Sequence, residues 1–119
     1  MDINAIAHQI FNSQPFSEFI GAKLIKIEGH YVELELILLD QHKQQHGFAH
    51  GGVISYLADN SITFAGGVAL MGDALTSEFK INYVKPAKGS KLIAKATAKS
   101  VGKKQAVCVA EIYSVEGDE

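Results

Sequence analysis

From Gly51 to about Leu70 the chain carries one charged side chain, Asp59, and no Lys, Arg or Glu. The run opens on His50-Gly51-Gly52 and closes at Gly72, so it reads as one long helix with a glycine stop. A helix that lies on a protein surface shows water a face of Lys and Glu. This one has no such face, and the rest of the chain must fold so as to cover it. At 100° per residue, Val53, Ile54, Leu57, Ala58, Phe64, Ala65 and Val68 fall on one side and form its core face. Gly52, Ser55, Asp59, Thr63 and Gly66 fall on the other. That second face is small, lightly polar and holds one acid, so it is expected to lie against a second subunit, a ligand, or both.

The flanking sequence supplies strands. Ile3, Ile6, Ala7, Ile10 and Phe11 have the spacing of a short amphipathic helix over 3–12, which Pro15 is expected to end. Ala22–Glu28 and His30–Leu39 read as strands around Gly29, the second alternating Val32, Leu34, Leu36 and Leu38 with outward residues. Asp40–Ala49 reads as a polar loop. After the helix, Leu75–Val84 reads as a strand, and Lys91–Val101 and Gln105–Val115 as a hairpin around Gly102-Lys103. In Lys91–Ser100, Leu92, Ala94, Ala96, Ala98 and Ser100 share one face. An alanine row of this kind lets a helix approach a sheet closely. Short turns imply antiparallel pairing, which predicts an α+β fold with one curved sheet wrapped on the long helix. At 119 residues this is one domain, 1–119.

Composition narrows the function. A formal charge of −2 offers no footprint for nucleic acid. No run of 18 apolar residues marks a membrane span. Met1–Ile10 has no Lys or Arg and is not a secretory signal. One cysteine, Cys108, excludes an internal disulfide. Together these point to the cytoplasm. His42, His46 and His50 recur every four residues, but in a Gln-rich loop without helical spacing, so no metal site is expected. There is no G-x-S-x-G elbow, dinucleotide fingerprint or Walker loop. Cys108 alternates with Ala106 and Ala110 and reads as a small core residue.

Two features do carry chemistry. Glycines at a helix start leave backbone N–H groups uncovered, and with the helix dipole these polarise a carbonyl oxygen or bind an anion. Asp59 supplies a carboxylate. It lies eight residues past Gly51, roughly 12 Å along the axis, too far to act on a carbonyl bound at its own helix start. A two-fold dimer with antiparallel neighbouring helices would bring Asp59 of one chain to the Gly51 end of the other, twice over.

These residues resemble the hotdog-fold superfamily, and within it the PaaI-type acyl-CoA thioesterases. The likeness runs through Pro15-Phe16, Gly21, Gly47-x-x-His50-Gly51-Gly52, Asp59, and Asn82-Tyr83-Val84-Lys85-Pro86-Ala87. It implies a five- or six-stranded antiparallel sheet around the helix, working as a dimer or dimer of dimers. It implies a thioester oxygen on the Gly51 amide, with Gly52 beside it, and Asp59 of the partner chain as nucleophile or general base. Gln44 would hold the water or thioester, His50 would orient the loop and hydrogen-bond near the carbonyl or else only cap the helix, Thr63 would support the acid or the water, and Thr76 matches a polar substrate-binding position at the start of the following strand. Coenzyme A enters only as part of the substrate, with Lys80, Lys85, Lys88 and Lys103 as candidates for its phosphates. The family's usual final strand has no counterpart before Glu116-Gly117-Asp118-Glu119.

Hydrolysis of an acyl-CoA is therefore the expected function. A hotdog dehydratase or hydratase using a His–acid pair, and a non-catalytic module that binds CoA esters, are the alternatives.

Overall fold

The computed structural model describes residues 2–116. The element order is α1 (Ile3–Asn12), α2 (Pro15–Ile20), β1 (Ala22–Glu28), β2 (Tyr31–Ile37), a 3-10 turn (Asp40–His42), α3 (Gly51–Leu70), β3 (Lys91–Val101) and β4 (Ala106–Val115). The four strands form one antiparallel sheet in chain order, β1-β2-β3-β4. The sheet wraps α3, which packs on β2, β3 and β4. This is the α+β hotdog arrangement of a sheet around a long central helix.

The alternation in β2 and β3 sets the inner face of that sheet. Val32, Leu34, Leu36, Leu92, Ala94 and Ala96 are fully buried, and Leu57 and Ala65 meet them from the helix. The register places Leu34 opposite Ala94 and Val32 opposite Ala96, while Leu36 lies opposite Leu92, so over the two alanine positions a large side chain faces a small one and α3 can approach closely. By length and composition α3 could cross a bilayer, but Val53, Leu57, Phe64 and Ala65 are buried in the core instead. Gly66, expected on the small polar face, is also buried. A side chain built there would touch Cys108 Sγ at 3.6 Å, on the inner row of β4.

Three expectations need correction. Pro15 does not only end a helix; it starts α2, at the first helical position, where its missing N–H costs nothing. α3 is closed by Met71 in the left-handed conformation (φ 59°) rather than by Gly72, with the Gly72 N–H bonded to the Gly67 carbonyl at 3.0 Å. Leu75–Val84 forms no strand. Among the described residues nothing pairs with it, and Leu75 and Val84 are 96% and 83% exposed. Alternation makes a segment fit for a sheet, but only a neighbouring backbone makes it a strand. The described sheet therefore has four strands, not five or six. Residues 117–119, at which the question of a final strand arises, lie outside the described residues.

Candidate functional site

The site lies along the face of α3 that carries Asp59 and Thr63, and the irregular segment after the helix completes it. That segment runs back along α3. Thr76 meets Asp59, and Tyr83 meets Gly51.

At mid-helix, the Thr76 hydroxyl donates to Asp59 Oδ1. The Thr63 hydroxyl donates to the Asp59 backbone carbonyl at 2.8 Å and lies 2.8 Å from Thr76 Oγ1. With the Thr76 proton on the carboxylate, Thr63 has a single proton to share between that carbonyl and the Thr76 oxygen. Among the described residues Oδ2 has no partner. The carboxylate is thus pinned through one oxygen and open at the other, the arrangement a base needs if it is to be oriented and still receive a proton. Asp59, Thr63 and Thr76, predicted separately, come together here.

The other group forms at the helix start. His50 is the N-cap, its Nδ1 accepting the Gly52 N–H at 2.8 Å. An accepting Nδ1 places the ring proton of the neutral imidazole on Nε2. Capping uses the Gly52 amide, and a Cβ on Gly52 would come 3.0 Å from that Nδ1. The Gly51 N–H has no acceptor among the described residues. It remains a free donor at the positive end of a helix of 20 residues. Of the two glycines predicted to bind substrate, the geometry leaves only Gly51 with an open N–H.

The loop before the helix is held from within. The Gln44 side-chain oxygen accepts the His46 and Phe48 N–H groups at 2.6 and 3.2 Å. Its carbonyl face is committed to the loop, and any contact with a ligand falls to its amide nitrogen. His42 is 4% exposed. Its Nδ1 accepts the Leu39 N–H at 2.9 Å and its Nε2 bonds the Ile20 carbonyl at 2.8 Å, so both ring nitrogens serve the backbone.

Tyr83, which the sequence marks only as part of a motif, donates to the Gly51 carbonyl at 3.1 Å. The Ala87 carbonyl accepts the Ala49 N–H at 2.8 Å. These two bonds tie the turn carrying Lys85 and Lys88 to the helix start. Both lysines are exposed and neither takes part in an ion pair among the described residues. Gly89 closes this turn at φ +119°, where a Cβ would lie 2.3 Å from the Val115 carbonyl oxygen. Lys80 is exposed on the irregular segment, and Lys103 lies on the β3–β4 hairpin.

A polar cluster that no sequence pattern announces joins α2 to α3. The Ser17 hydroxyl, in a residue 1% exposed, lies 2.6 Å from both Gln14 Oε1 and the Tyr56 hydroxyl. Asn60 Nδ2 donates to Gln14 Oε1 at 3.1 Å and to the Tyr56 oxygen at 3.2 Å. Burial pushes the Tyr56 phenol up, and its hydrogen bonds with Ser17 and Asn60 offset part of that.

The Thioesterase superfamily model matches residues 46–119, which include α3 and the segment that returns along it. A crystal structure of a thioesterase family protein from Silicibacter pomeroyi is 28% identical and superposes with a TM-score of 0.89, covering 98% of this chain and 88% of that one. The E. coli PaaI protein from the phenylacetic acid degradation operon is 23% identical with a TM-score of 0.83, covering 92% and 80%. At that identity the likeness speaks for the shared fold. An Archaeoglobus fulgidus protein named as a candidate esterase is 28% identical over 92% of this chain and 71% of its own length. With the family model spanning more than half of its residues, the chain belongs to the thioesterase superfamily and has the hotdog fold.

Proposed function

We propose that the protein is an acyl-CoA thioesterase whose sites are shared between two chains. The observation that carries this reading is the Asp59 carboxylate, pinned by Thr76 at one oxygen and open at the other, on a helix whose first N–H is free. The helix keeps these groups about 12 Å apart within one chain. A two-fold partner with its α3 antiparallel would bring Asp59 of one protomer to Gly51 of the other. The exposed side chains of Met71 at the end of α3 and of Leu75 and Val84 on the segment after it support such a partner.

In the shared site the thioester carbonyl oxygen accepts the Gly51 N–H. Asp59 takes a proton from water through Oδ2 as the water oxygen bonds to the carbonyl carbon. The negative charge moves to the carbonyl oxygen, where the N–H and the helix dipole stabilise it by a few kcal/mol. Collapse of the tetrahedral intermediate breaks the C–S bond. The thiolate leaves as CoA, taking up a proton, and the carboxylic acid remains. Direct attack by Asp59 would instead give a mixed anhydride that water then cleaves. Lys85 and Lys88 stand beside the helix start, where the phosphates of coenzyme A could reach them.

The test is thiol release from a panel of acyl-CoAs, read with a thiol reagent. Release that is lost in Asp59→Asn supports the proposal. Binding of CoA esters with no release from any of them would leave a binding module in its place. Water addition to an enoyl thioester would make the protein a hydratase.

A further inference from the structure

The peptide unit between Gly51 and Gly52 is held at both of its polar groups. Its carbonyl accepts the Tyr83 hydroxyl at 3.1 Å, and its N–H donates to His50 Nδ1 at 2.8 Å. The two side chains come from different parts of the chain. His50 is the residue before the helix, and Tyr83 belongs to the irregular segment that returns along it. Each lies against the bare side of one glycine. A Cβ on Gly51 would meet the edge of the Tyr83 ring and its hydroxyl at 3.6 Å, and one on Gly52 would come 3.0 Å from His50 Nδ1.

The backbone alone holds this turn loosely. Two consecutive glycines restrain their dihedrals less than any other pair of residues. The first α-type bond of the helix is long. The Ile54 N–H reaches the His50 carbonyl only at 3.4 Å, and the Val53 N–H takes the same oxygen at 2.9 Å in a 3-10 bond. Tyr83 is 54% exposed, and a hydrogen bond so open to water adds little to global stability. Its effect is local. With the carbonyl and the N–H of one peptide both held, the preceding peptide, which carries the open Gly51 N–H, has little freedom to turn.

We infer, resting on the thioesterase reading, that Tyr83 is a positioning residue: with His50 it clamps the peptide between Gly51 and Gly52, so that the Gly51 N–H keeps its aim at the thioester oxygen. Tyr83 itself makes no contact with the substrate in this assignment. Alignment of the N–H matters most in the transition state, where the negative charge sits on that oxygen. Loosening the clamp therefore lowers kcat and leaves substrate binding nearly as it was.

Tyr83→Phe removes the hydroxyl and keeps the ring. In hydrolysis of an acyl-CoA its kcat should fall roughly tenfold, within the hundredfold that a 1 Å misplacement can cost, while KM changes by less than about twofold. The denaturation midpoint should stay at the wild-type value. An unchanged kcat would overturn the assignment. So would a rise in KM alone, which would make Tyr83 a substrate contact, or a lowered midpoint, which would make it a support of the fold only. Amide hydrogen exchange reads the clamp without activity. In Tyr83→Phe the Gly52 N–H should exchange several times faster, while amides in the middle of α3 keep their wild-type rates. Unchanged exchange at Gly52 would overturn the clamp. If the wild type hydrolyses no acyl-CoA, the thioesterase reading fails by itself, and exchange at Gly52 still decides whether Tyr83 holds the peptide.

Discussion

The two sides of α3 differ in how far one chain can complete them. On the sheet side, Leu57 and Ala65 are fully buried against Val32, Leu34, Leu36, Leu92, Ala94 and Ala96. On the other side, Asp59, Thr63 and Thr76 form a hydrogen-bonded group next to a segment whose Leu75 is 96% exposed and an isoleucine stripe on α1 that is partly open. Burial on the first side holds the fold together. The second side has oriented polar groups and uncovered apolar ones, the combination expected where a ligand and another subunit complete the structure. Stability and activity should therefore separate by face.

The largest effect expected is on catalysis. Asp59→Asn keeps the shape and the hydrogen bond from Thr76 but removes the base, and thioester hydrolysis should fall by about a hundredfold or more, with an unchanged denaturation midpoint. A large loss of stability in this variant would mean that the carboxylate is structural and would break the division between faces.

Leu57→Ala should cost about 2–5 kcal/mol in denaturant unfolding, because its cavity opens in the closed half of the core. Leu75→Ala removes a similar side chain from the bare side and should change the stability of a single chain by less than about 0.5 kcal/mol, while weakening self-association in dilution experiments. Equal costs at the two positions would erase the contrast. His50→Ala removes the cap on Gly52 and should cost about 1 kcal/mol. The smallest expected change is a gain. Gly66→Ala puts a methyl group at ordinary contact distance, 3.6 Å from Cys108 Sγ, and should stabilise α3 by up to about 1 kcal/mol. At Gly67 the same substitution meets the Gly72 carbonyl at 3.0 Å and should lose much of that gain.

The closed side was the more legible in sequence. Alternation in β2 and β3 and the spacing in α1 report burial within one chain, and α1, β1 and β3 lie where those patterns put them. Pattern reading fails where the determinant is a neighbour distant in sequence. Leu75–Val84 has strand composition but no adjacent backbone, and Gly66 is drawn into the core by β4. Pro15 is as compatible with starting a helix as with stopping one. In the site, the lone carboxylate and the glycines of the helix start stand out because such residues are rare there. Thr76 is legible only through the family resemblance, since a hydroxyl 17 positions from its partner leaves no periodic trace. The cluster of Gln14, Ser17, Tyr56 and Asn60 leaves none either.

The central claim is that each site takes Asp59 from one chain and Gly51 from the other, and mixing two inactive chains tests it most directly. One chain carries Asp59→Asn. The other carries Gly51→Pro, which removes the free N–H at a helix position that accepts proline. Each variant alone should be inactive. In a mixed dimer one site collects both lesions and the other has none, so equal mixing and reassembly should restore roughly a quarter of wild-type activity. If the mixture stays as inactive as its components although mixed dimers form, Asp59 and Gly51 do not combine across chains.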